Sequence, residues 1–204
     1  MKQDGKAAMN KLKKREALMQ AGYELFTEKG IAHTSIADIA DKAGIGKGTF
    51  YSYFEDKYDI HDHIISRKAS MLFERAQKDL EKNTQIILLE DQVIFFCDHI
   101  LNQLKEDKVL LRFIHRNLSW NVFTDILDNK ATAFGKNIRS LIEIAIKRSD
   151  VKYRDAYGML YLITELLGAV AYASILENKP KPIDEFKPDL FEAIRAIMKQ
   201  RELQ

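Results

Sequence analysis

From Arg15 the apolar positions recur at intervals of three and four. Leu18, Ala21, Gly22, Leu25 and Phe26 share one face of a helix, and Gly30 follows as its C-terminal stop. The pattern then restarts. Ser35 precedes Ile36, Ile39, Ala40 and Ala43, again on one face. Asp38 stands three residues after Ser35, the spacing of a capping box, with Asp in place of the favoured Glu. This second helix is short, about two turns, and Gly44 ends it. A third pattern begins within a few residues, with Phe50 and Phe54 four apart on one side. A fourth starts near Asp56 and runs through Ile60, Ile64, Ile65, Leu72 and Phe73 toward Asn83.

Beyond Thr84 the chain is more apolar and its helical patterns are longer. They predict helices over roughly 86–105, 108–117, 119–149, 153–178 and 184–201. ENKPKPIDEFKP reads as the loop that joins the last two. No internal repeat or low-complexity segment stands out.

Composition narrows the fold class. Leu, Ile, Ala, Glu and Lys dominate, and the three prolines cluster at Pro180, Pro182 and Pro188, so nearly the whole chain is free to be helical. The expected class is all-α, with about nine helices. A chain of 204 residues can bury a real core without disulfides. Net charge is only +2, which excludes a uniformly basic surface, but Lys2, Lys6, Lys11, Lys13, Lys14 and Arg15 crowd the first fifteen positions against Asp4. That leader is either a solvated, irregular segment or a basic arm attracted to phosphate. Cys97 lies in the apolar run VIFFC and has no cysteine to pair with. The expectation is an unsecreted cytoplasmic chain: no stretch is taken as long enough to span a bilayer, and Met1 is followed by lysines and polar residues.

Two short helices separated by a glycine turn, with Ala40 four residues before Gly44, form a helix-turn-helix pattern, although an αα corner in a core has the same spacing. The third helix distinguishes them. With Phe50 and Phe54 inward, Lys47, Gly48, Thr49, Tyr51, Ser52 and Tyr53 face outward, an outfit suited to DNA. Lysine and tyrosine hydroxyls meet phosphates, short hydroxyls meet phosphates or base edges, and glycine lets the backbone come close.

The run EALMQAGYELFTEKGIAHTSIADIADKAGIGKGTFYSYFEDKYDI resembles the DNA-binding domain of the tetracycline-repressor (TetR) family of bacterial transcription regulators. The parts that match together are FTEKG, HTSIADIADKAGI and KGTFYSYF followed by DK. KYDI departs from the family's usual acidic residue and Leu. The resemblance implies an N-terminal helix-turn-helix DNA-binding domain over residues 1–56 and a C-terminal ligand-binding and dimerisation domain over 57–204. It implies phosphate contacts by Thr34 and Ser35, and a recognition helix opened by Lys47, Gly48 and Thr49. Tyr51, Tyr53 and Lys57 would bind the flanking backbone. The implied protein is no enzyme, uses no cofactor or metal, and is most simply a homodimeric repressor on a palindromic operator, released by a small apolar or amphipathic effector. The rival is a helical ligand-binding or interaction protein without specific DNA readout.

The C-terminal part carries no convergent acid, base or nucleophile set by spacing, and His61, His63, His99 and His115 are scattered. Its aromatics suit a plain core or an apolar cavity. The resemblance favours the cavity, with Phe95, Phe96, His99, Arg112, His115, Arg116, Trp120, Phe123, Tyr161 and Glu165 as candidate ligand contacts. The last two helices are apolar around much of their circumference. With the resemblance, this points to a dimer interface through Leu167, Ala171, Ile175, Leu190, Phe191, Ile194 and Met198.

Overall fold

The computed structural model describes residues 2–115, 123–124, 127–128, 138–149 and 151–202. The chain is all-α. Among the described residues the named helices are α1 (Lys2–Lys29), α2 (Ile36–Lys42), α3 (Lys47–Phe50), α4 (Lys57–Lys82), α5 (Leu89–Glu106), α6 (Lys108–His115), α7 (Ile138–Arg148), α8 (Ala156–Ala171), and α9 (Ile183–Gln200). A π-helical turn, Tyr172–Leu176, continues α8. Among the described residues the only β feature outside these helices is an isolated bridge between Tyr153 and Glu202. About half of the predicted helix over 119–149 lies outside the described residues, which are helical at 123–124 and 127–128 and form α7 at its C-terminal end.

Two compact units divide the chain, Met1–Arg67 and Lys68–Gln204. The first is organised around Leu18, Ala21, Leu25 and Phe26 of α1, Ile39 and Ala40 of α2, Phe50 and Phe54, and Ile60, Ile64 and Ile65 of α4, all buried. The periodicity of α1 and α2 predicted those positions. Gly22 permits the approach of α4: a β-carbon there would sit 3.0 Å from Ile64 Cδ1 and 3.5 Å from Ile60 Cδ1. Because α4 inserts these isoleucines into the first core, the division falls inside α4 rather than at its start near residue 56.

α1 is longer than its apolar face. It begins at Lys2, whereas the amphipathic pattern begins near Arg15. The intervening residues have high helix propensity and include no proline, and extending an existing helix avoids the cost of nucleation. The irregular-leader reading is therefore corrected from Lys2 onward.

The second unit packs Cys97, Leu101 and Leu104 of α5 and Leu110 and Leu111 of α6 against Met159, Ile163, Leu167 and Ala171 of α8. Ile175 from the π turn, Ile183, Leu190, Ile194 and Met198 of α9, and Leu72 of α4 complete the cluster. This corrects the expected dimer face. Leu167, Ala171, Ile175, Leu190, Ile194 and Met198 are buried within the chain's own core and have no surface to offer a second copy; only Phe191 is half-buried. The apolar positions of α8 that are exposed are others, Leu162 at 44% and Ala169, with half-buried Leu166 and, in the π turn, half-buried Ala173 at helical spacing from them. A second correction concerns length. Ala156–Leu176 is 21 residues and apolar enough, by length and composition alone, to cross a membrane, although Met159, Ile163, Leu167 and Ala171 place one side of it in the core cluster.

Candidate nucleic-acid interface

α2 starts at a completed capping box. Ser35 Oγ accepts from the Asp38 amide at 3.1 Å, and the Ser35 amide donates to Asp38 Oδ2 at 3.0 Å. Lys29 Nζ reaches the same carboxylate at 2.9 Å. The Lys29 hydrogen bond, then those to Ser35, holds the Asp38 carboxyl down at about 2. The box therefore fastens the start of α2 to the end of α1.

The turn follows from Gly44, whose φ of 66° lies in the left-handed region. It lets the Ile45 amide donate back to Ala40 O at 2.9 Å. α3 is one α-helical turn, and further turn hydrogen bonds prolong it: Tyr53 N to Phe50 O at 2.9 Å and Phe54 N to Phe50 O at 3.1 Å. Phe50 and Phe54 are buried with ring centroids 5.7 Å apart. They are the hooks that hold this short segment to the unit.

What the hooks leave outward is the candidate interface. Lys47, Gly48, Tyr51 and Ser52 are exposed, Tyr51 to 54%, while Thr49 and Tyr53 are half-buried. A β-carbon on Gly48 would meet no atom within 4 Å, so nothing inside the chain requires glycine there. Ser35 is also exposed.

Two expected contact residues are employed within the fold. Thr34 is 1% exposed, and its hydroxyl donates to Gly30 O at 2.8 Å. Lys57 directs its ammonium onto three backbone carbonyls, Ile31 O at 2.9 Å, Thr34 O at 3.3 Å and Ala32 O at 3.4 Å. These oxygens lie in the loop between α1 and α2, past the last residue of α1. Lys57 thus caps that loop from the first turn of α4. Arg15, not singled out from the sequence for this face, lies with its guanidinium 5.3 Å from the centroid of the Phe54 ring.

Residues 18–64 match the family model for bacterial regulatory proteins of the tetR family. That segment, about the first quarter of the chain after its basic leader, is similar to the family's DNA-binding region. An HTH-type transcriptional regulator from Staphylococcus aureus is 28% identical over 103 residues, a match covering 49% of this chain and 52% of the relative. The chain spans about half the length of the curated relatives it matches. Among solved structures, a Shewanella sp. PV-4 protein assigned to the tetR family superposes with a TM-score of 0.63 at 16% identity, covering 94% of this chain and 99% of that one. Bacillus subtilis FadR, solved in complex with stearoyl-CoA, superposes with a TM-score of 0.58 at 15% identity, covering 88% and 96%. Both likenesses are of fold.

The fold separates the residues expected at a ligand site. Phe96 stacks on Phe73, with centroids 4.5 Å apart, and Phe73 packs with Phe123, Leu127, Ile142, Tyr157, Leu160 and Tyr161 in one aromatic cluster. Phe96, Phe123 and Tyr161 are thus brought together. Burial, then the Glu165 carboxylate, pushes the Tyr161 phenol up. Phe95 instead stacks on His99 at 3.9 Å, and His99 Nε2 lies 3.9 Å from Asp79. His115 stacks on Tyr172 of the π turn at 4.0 Å, and Arg112 is exposed. Arg116 and Trp120 lie outside the described residues. Sequence reasoning missed Phe73, which sits on the fourth helical pattern, and Arg139, which pairs with Asp128 and covers the Tyr157 ring at 4.6 Å.

Proposed function

We propose that this chain is a DNA-binding transcriptional regulator that acts in the cytoplasm as a homodimeric repressor on a roughly palindromic operator. One observation carries the reading. A segment too short to stand alone is held by two buried phenylalanines, and its outward residues are Lys47, Gly48, Tyr51 and Ser52, with Thr49 and Tyr53 at their edges. The match of residues 18–64 to the tetR family model supports the same conclusion. In the complex, Lys47, Ser35 and Tyr51 bind phosphates, and Gly48, Thr49 and Ser52 approach the major groove. Two such segments in a dimer enter successive major grooves about 34–36 Å apart.

The second copy docks on the outward side of the last two helices, using Leu162, Leu166, Ala169 and Ala173 with Ala193 and Ala196, since the inward side is already core. The effector is apolar or amphipathic and occupies the aromatic cluster around Phe73, Phe96, Phe123 and Tyr161. It releases DNA by no more than its differential affinity for the two arrangements of the dimer. The test is selection of bound duplexes from random DNA, followed by titration of wild type and Lys47→Ala, Tyr51→Phe. The double variant should bind at least tenfold more weakly with an unchanged thermal midpoint; equal affinity would remove the interface.

A further inference from the structure

The basic segment ahead of Leu18 is the most strongly charged feature that the interface above leaves unused. Residues 5–15, GKAAMNKLKKR, include Lys6, Lys11, Lys13, Lys14 and Arg15 and no acid. They are not strung along an irregular leader, because α1 runs unbroken from Lys2 to Lys29. At 1.5 Å per residue, Lys6 stands about 14 Å along the axis from Arg15. Lys6, Lys11, Lys13 and Lys14 are all exposed. Among the described residues, none of the four enters an ion pair.

Arg15 fixes where this rod starts. Its guanidinium lies over Phe54, the ring that closes the segment presenting Tyr51 and Tyr53. By helical spacing, Lys14 and Lys11 fall on the side of α1 that turns Leu18 into the core, while Lys13 and Lys6 fall on the far side. Cations therefore surround the rod, beginning where the outward tyrosines end. Met9 and Leu12, exposed to 54% and 52%, share a side with exposed Glu16, so no clean apolar stripe exists to lie in a membrane interface. A duplex offers one negative charge per roughly 1.7 Å of its axis and suits a rod charged on several sides.

We infer that the N-terminal turns of α1 are a preordered arm that binds DNA phosphates beyond those reached by Lys47 through Tyr53. The inference rests on the DNA-binding reading and adds a second, sequence-independent contact region to it. The test compares wild type with a Lys6, Lys11, Lys13, Lys14→Gln variant, because glutamine matches lysine in helix propensity. A control variant carries Lys108, Lys152, Lys179, Lys199→Gln, an equal loss of charge from exposed positions of the second unit. Circular dichroism checks that helix content is kept. Affinity for a selected duplex is measured by fluorescence anisotropy across about 50–200 mM salt. The arm variant should bind at least tenfold more weakly at the lowest salt. Its plot of log affinity against log salt should be shallower by roughly 2–4, at about 0.9 for each phosphate that is no longer neutralised. The control should follow wild type. An arm variant indistinguishable from wild type overturns the arm, as does a control that weakens as much. Loss of binding to phosphatidylglycerol vesicles with unchanged DNA affinity also overturns it, assigning the segment to a membrane. A wild-type chain that binds no duplex removes the regulator reading as well, which sets that failure apart from failure of the arm alone.

Discussion

Single residues divide the N-terminal unit into hooks, caps and presented groups. Phe50 is a hook: it is fully buried, and Phe50→Ala should destabilise the unit by about 3–5 kcal/mol in a denaturant titration, through the packing it removes and the cavity it leaves behind. Lys57 caps the loop after α1. Lys57→Ala removes its ammonium from the carbonyls of Ile31, Ala32 and Thr34, of which Ile31 O keeps the Thr34 amide, so the thermal midpoint should fall while the salt slope of DNA binding stays the same. A shallower slope with an unchanged midpoint would return Lys57 to the phosphate-binding set. The roles of Phe50 and Phe54 were legible from their spacing alone. Those of Thr34 and Lys57 were not: Thr34 turns its hydroxyl back onto Gly30 O, and the carbonyls that hold Lys57 reach it only once the loop after α1 folds beside the start of α4. Local pattern reports that a side chain is polar and near a candidate face, but not that a carbonyl more than twenty positions earlier has claimed it.

Helices were legible where their apolar face and caps coincide. Ser35 and Asp38 marked the start of α2, and the structure closes both hydrogen bonds of the box; Ser35→Ala should cost about 1 kcal/mol of stability. The depressed Asp38 carboxyl stabilises the fold above its ordinary value of 3.8, and that contribution is lost as pH falls toward 2. Periodicity was less informative for α8 and α9. It showed that Leu167, Ala171, Leu190 and Ile194 belong to apolar faces, but a face buried in one's own core and a face buried by a partner have the same spacing. Packing of the two helices in one chain resolves the ambiguity and moves the proposed dimer surface to Leu162 and its neighbours. Leu162→Glu should convert the dimer to a monomer by light scattering with the helix content intact, whereas Leu167→Glu should unfold the second unit.

At the scale of the whole molecule, the resemblance and the helical patterning foretold the all-α class and the helix-turn-helix, while the ordered basic extension and the place of the division into units emerged only from the packing of α1 and α4. The N-terminal unit also carries a pH dependence. Burial holds the His61 imidazole below its ordinary 6.5, against the opposing pull of Asp62, so the folded unit favours neutral His61. The sign follows: stability is full above about 6.5 and falls as pH drops below it, because the unfolded chain then binds the proton more readily. Melting curves should shift downward between pH 7 and pH 5, and His61→Phe should reduce that shift.

The central claim is that the outward side of α3 meets DNA, and Gly48 tests it most directly because a side chain there has free space within the chain. The measurement is the ratio of affinities for a selected and a scrambled duplex at one salt concentration, for wild type and Gly48→Ala, alongside their melting curves. The account predicts a wild-type ratio of about 10³ or more. Gly48→Ala should melt no lower than wild type, yet lose at least tenfold of that ratio as the added methyl keeps the backbone from the groove. A wild-type ratio near one, or a Gly48→Ala variant that keeps the full ratio, would contradict it.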